Sequence, residues 1–166
     1  MTLWVVLPDH IVTGLVCLTA GALHFVRLSR WGGWQTGAER LVLVLHLAYA
    51  FVPLGFIAIA LVPFGWLDLA SALHVFTVGA IGLMTLAIMS RATRGHTGLP
   101  LTAPLSTAIS YALLISGAIL RPLATALPDH YLTLVSASGI CWVLAFTLYI
   151  VEYAPVLLTR RKPRPE

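Results

Sequence analysis

The chain has 166 residues and a formal net charge of +4, with 59% hydrophobic and only 10% charged residues. A soluble domain carries about 25% charged residues, so a soluble fold is excluded and an integral membrane protein without a soluble domain is expected. The basic residues sit mostly in loops and at the tail, and no basic run interleaves with aromatics. That pattern excludes nucleic-acid binding and fits membrane topology instead.

A span needs about 20 apolar residues, and five such blocks follow one another, at 9–28, 38–62, 68–91, 102–121 and 129–158. Lipid offers no water to unpaired backbone groups, and the blocks are too long and continuous for barrel strands. The fold expected is therefore all-α, a single transmembrane helical domain over 1–166. The first block follows Leu7-Pro8-Asp9-His10, where proline resists helix before it and aspartate is a helix cap. No positive charge precedes this block and it is too long for a cleaved leader, so it is read as a true span. Pro53 predicts a kink in the second span. The turn Val62-Pro63-Phe64-Gly65-Trp66-Leu67 ends in Asp68, a cap for the third. That span is expected to stop at Arg91, with Gly95, Gly98 and Pro100 breaking the helix. Ser106, Ser110 and Gly117 form a small-residue stripe in the fourth. The fifth follows Leu127-Pro128-Asp129-His130, the same four letters as before the first, read as convergent capping.

Orientation follows from the arginines. Arg27, Arg30 and Arg40 fall in one loop, Arg91 and Arg94 in another, and Arg160, Arg161, Lys162 and Arg164 in the tail. With five spans all of these lie on one side, while Asp9, Asp68, Asp129 and Arg121 alone among the arginines lie on the other. The N-terminus is expected outside and the C-terminus in the cytoplasm. Trp31 and Trp34 fit the inner interface and Trp66 the outer one. Cys17 and Cys141 lie in apolar runs, form no CxxC, and read as core residues.

Six histidines are unusual in so apolar a chain. Ionisable residues inside a membrane are expensive and by default functional. His24, His46 and His74 fall within spans one, two and three; His10, His96 and His130 fall at or beyond span ends. From the helical rise, His24 and His46 could share a site in the inner half, with His96 at its mouth. His74 could share an outer site with His10. Neutral imidazole ligates iron, copper and zinc, and a helical bundle can supply haem ligands from facing helices. Arg27, Arg91 and Arg94 are candidates for haem propionates. Gly79 and Gly82 permit close approach of a flat cofactor or, the blander reading, another helix. Met84 and Met89 read as core, and Glu152 as solvated or paired. No Walker loop, dinucleotide fingerprint or nucleophile elbow is present.

The stretch ALHVFTVGAIGLMTLAIMSRATRGHTGLPL, from Ala72 to Leu101, resembles the signature region of the NnrS family. So do ALHFVRLSRWGGWQT, LHLAYAFVPLGF and ASGICWVLAFTLYIVEYAPVLL, at Ala22, Leu45 and Ala137. These are bacterial polytopic inner-membrane proteins, proposed to bind haem and copper and associated with denitrification and the nitric oxide response. Family members have roughly twelve spans, so the resemblance is to the C-terminal part only. A homodimer, or pairing with another membrane subunit, would supply what the other spans supply. The resemblance implies that His24, His46, His74 and His96, with Arg91 and Arg94, are the positions that contact haem or metal in a bacterial inner membrane. Two other classes remain open at this point. One is a cofactor-free structural or assembly subunit whose histidines hydrogen-bond between helices; the other is a small transporter with a histidine-lined path. Turnover is not claimed.

Overall fold

The structure, a computed structural model, describes residues 5–37 and 39–158. Ala38 and the basic tail residues Arg160, Arg161, Lys162 and Arg164 lie outside the described residues, as does the side chain of Trp34. Five helices follow in order: α1 Ile11–Ser29, α2 Arg40–Leu61, α3 Leu69–Thr97, α4 Leu105–Ala126 and α5 Tyr131–Leu158. Each belongs to a segment long and apolar enough to cross a membrane. The 22 residues of α2 reach about 33 Å at the helical rise, enough for a hydrocarbon core. The chain is an all-α integral membrane bundle, as its composition demands.

Side-chain pairs fix the directions. Gly14 and Gly21 of α1 face Ala60 and Pro53 of α2, and Phe51 and Gly55 of α2 face Gly79 and Phe76 of α3. Ser71 of α3 meets Thr125 of α4, and Gly117 and Thr107 of α4 meet Ser138 and Tyr153 of α5. Each successive pair is therefore antiparallel. One end of the bundle gathers Arg27, Arg40, Arg91 and Arg94 and is called the basic end below. The other gathers Asp9, Asp68 and Asp129 and is called the aspartate end. α3 occupies the middle, against α2, α4 and α5, while α1 packs almost entirely on α2.

The capping residues are partly those expected. The Asp68 carboxylate accepts from the Ser71 N–H at 2.8 Å and starts α3. At α1 the cap is His10, not Asp9: its Nδ1 accepts from the Val12 N–H at 3.2 Å. Asp129 sits inside a 3-10 turn, Pro128–His130, that leads into α5. α3 also outlasts the expected end at Arg91 by six residues, so Ser90 to Thr97 is helix rather than turn. Gly95 is absorbed within it. The helix ends only at Gly98, whose φ of 73° is left-handed and lets the Leu99 N–H reach back to Arg94 O at 2.9 Å. α4 is shifted likewise. It begins after Pro104 and runs five residues past Arg121, with Pro122 tolerated inside it.

The middle of α3, Val75–Gly82, is a π-helix. Such wide turns cost backbone geometry and concentrate at functional sites. It follows His74 directly.

Close approach is bought by small residues. A Cβ on Gly79 would lie 2.3 Å from Phe51 Cδ1, and one on Gly55 would lie 2.6 Å from Phe76 Cδ2. Each helix thus inserts one phenyl ring over a glycine of the other. The expected α4 stripe forms the seam with α5: a Cβ on Gly117 would stand 3.2 Å from Ser138 O, and Ser138 Oγ donates to Gly117 O at 2.7 Å. Cys17 is buried and Cys141 half-buried, and both thiols are free.

Polar contacts close the basic end. Arg94 is buried at 7% exposure; its Nε donates to Pro100 O at 2.7 Å, and its Nη1 lies 3.8 Å from the Glu152 carboxylate. Ser106 donates to the same carboxylate, Thr107 meets Tyr153 at 2.8 Å and Thr93 meets Tyr149 at 3.3 Å. Glu152 is therefore paired within the bundle and ties α3, α4 and α5 together.

Candidate functional site

The histidines fall in three places. The first is an aromatic cluster between α1 and α2 near the basic end. His24 Nδ1 is 2.7 Å from Tyr49 Oη, and its ring stacks on Phe56 at 5.4 Å and 10°. Trp31 packs on Tyr49 at 4.5 Å and edge-on to His46 at 6.1 Å. The Arg27 guanidinium lies 5.5 Å from the Trp31 ring centroid and 5.8 Å from that of Tyr49. His24 and His46 thus share one set of aromatic neighbours. Gly33 presses on the His46 ring, since a Cβ there would lie 2.8 Å from its Cδ2.

The second place is a cavity of about 390 Å³ between α3, α4 and α5, toward the aspartate end. Its lining includes His74, Val78, Arg121, Ser138 and Trp142. His74 Nδ1 is 2.6 Å from Ala70 O, on the preceding turn of its own helix. A carbonyl only accepts, so Nδ1 carries the proton and Nε2 keeps its lone pair. His46 is prepared the same way, with Nδ1 3.0 Å from Val42 O. An N–H···O=C anchor of this kind orients metal-binding imidazoles and fixes their tautomer. Gly139 on the cavity wall has open space where a Cβ would stand.

Behind the cavity runs a directional chain. Arg121 Nη1 donates to Ser71 Oγ at 3.4 Å, Ser71 meets Thr125 Oγ1 at 2.8 Å, and Thr125 donates to Asp68 Oδ2 at 2.5 Å. Burial works to raise the Asp68 pKa. The hydrogen bonds from Ser71 and Thr125 outweigh it, helped by the Arg121 charge, and hold the carboxyl at about 2 against an ordinary 3.8.

The third place is a hollow of about 450 Å³ at the basic end, lined by Leu45, Ile88, Arg91, Gly95, His96 and Leu101. The expected candidates are therefore distributed: His24, His46 and Arg27 in the first place, His74 in the second, Arg91 and His96 in the third. Arg94 turns inward to Glu152. His10, expected beside His74, caps α1. Among the described residues no group of three or more His, Cys, Asp or Glu side chains converges on one point. The second place brings one imidazole, His74, and one guanidinium, Arg121, to the same cavity. Arg121 was visible in the sequence only as the odd cation on the aspartate side. Ser138 and Trp142 lay within the ASGICWVLAFTLYIVEYAPVLL segment that resembles the family but were not singled out in it.

Fold and site together define a multi-pass helical membrane protein that carries imidazoles inside its bundle. The chain belongs to the NnrS family, whose model, described as NnrS protein, matches residues 1–161. No curated protein and no solved structure matches it.

Proposed function

We propose that this chain is a haem-binding protein of the bacterial inner membrane, linked to the nitric oxide response or denitrification, with its basic end in the cytoplasm. The observation that carries the reading is His74. Its Nδ1–H is anchored on Ala70 O, and the ring lines a cavity that also holds a guanidinium. Family membership supports the same reading, through what the NnrS resemblance implies. Nε2 of His74 would hold the iron, and Val78 and Trp142 would line the pocket that receives the group. A haem held by one imidazole supplies an iron able to take up a diatomic ligand. The remaining work belongs to the chain. The Ala70 carbonyl keeps the imidazole in one tautomer, and Val78, Val135 and Val143 give the site apolar walls.

The test is the visible spectrum of the protein purified after expression with ample haem. The expected result is a Soret band that is lost in His74→Ala and retained in His46→Ala, whose ring lies in the other cluster. A colourless wild-type protein would sink the proposal.

A further inference from the structure

Arg121 serves the bundle only through its link to Asp68 by way of Ser71 and Thr125, and that link uses little of its guanidinium. It lies within a span, where a charge is costly and normally faces a partner. Among the described residues no carboxylate lies within ion-pair distance of it. Asp68 is reached only through two hydroxyls, and both its oxygens already accept hydrogen bonds, from the Ser71 N–H and from Thr125. The remaining contacts of the guanidinium are one long bond to Ser71 and the face of the Tyr131 ring at 5.8 Å. A guanidinium carries five N–H donors, so most of them are left for something else.

Arg121 and His74 also stand at one level. Arg121 is five residues from the end of α4 at Ala126, and His74 is five residues from the start of α3 at Leu69. In antiparallel helices that puts both backbones about 7.5 Å below the aspartate end, with the guanidinium of Arg121 reaching back toward that end to Ser71 and Tyr131. Both line the same cavity. One side offers a lone pair for a metal, and the other offers a planar cation matched to a carboxylate. A ligand satisfying both carries a metal and a carboxylate on one framework.

Resting on the haem reading above, we infer that Arg121 is the carboxylate anchor of the cavity and pairs with a propionate of the haem ligated by His74. The expectation from sequence places that role on Arg27, Arg91 or Arg94. Arg94 is committed to Glu152 and Pro100, and Arg27 and Arg91 line other hollows.

The experiment compares haem with its dimethyl ester, which keeps the iron and the ring but has no carboxylate charge. Haem-free membrane protein in detergent is titrated with each, and the Soret change is read. Wild type should bind haem about tenfold or more tightly than the ester, the worth of a charge-assisted hydrogen bond. Arg121→Gln should bind the two equally, with an unchanged histidine-ligated spectrum, and Arg121→Lys should keep part of the preference. Equal binding of the two by wild type overturns the inference with no variant needed, and so does a preference that survives in Arg121→Gln. Either result leaves the haem reading standing. A wild type that takes up neither porphyrin overturns that reading and this inference together.

Discussion

At the scale of single residues, the chain Arg121–Ser71–Thr125–Asp68 joins a cation to an anion through two hydroxyls, each oriented by the next. The carboxyl of Asp68 is held at about 2, below its ordinary 3.8. A carboxylate favoured in the folded state adds stability that is full above the unfolded value. That stability fades as pH falls from about 4 through about 2. Asp68 is exposed, so the gain is screened and worth at most about 1 kcal/mol. Asp68→Asn keeps a side chain able to cap α3 but removes the charge. It should lower the unfolding temperature in detergent at pH 7, by a difference that shrinks as pH falls through 2 and vanishes below it. A variant equally destabilised across that range would show that the carboxylate charge is not what matters.

At the scale of helices, α2 and α3 are joined by two rings set over two glycines, Phe51 on Gly79 and Phe76 on Gly55. Overpacking such a contact costs about 1–3 kcal/mol. Gly79→Ala should therefore lower thermal stability by that order. Phe51→Leu in the same chain should return part of the loss, because it removes the ring atoms that the new Cβ meets. Additive losses in the double variant would contradict this packing. Gly79 was legible in the sequence as a place of close approach, but Gly55 and the two ring partners were not, since the register between two helices is set only when they pack. The five spans were legible because hydropathy alone fixes them. The end of α3 was not: polarity rises at Arg91, while the backbone ladder continues to the first left-handed glycine at Gly98. Nothing in Val75–Gly82 announces a π-helix. His74 stood out as an imidazole in lipid. Arg121 did not, because it shares a cavity with His74 only once α3, α4 and α5 have packed together.

At the scale of the whole molecule, the prepared imidazoles lie at different depths and on different sides of α2, so the bundle is not built around one centre. Its attachments are also uneven. α5 is bound to α4 along its length and to α3 through the Arg94–Glu152 and Thr93–Tyr149 contacts. α1 is held by α2 alone but for minor contacts. Load applied to the two ends of the chain therefore meets unequal resistance. Pulled from its N-terminal end out of a bilayer, by a single-molecule tether, the protein should give up α1 in a separate first step at low force. Pulled from the other end, it should hold until α5 leaves together with α4, in one larger event. An α1 that never detaches alone would mean that the aromatic cluster of His24, Tyr49 and Trp31 grips more firmly than its small area suggests. The structure has, mechanically, one loose end and one fastened end.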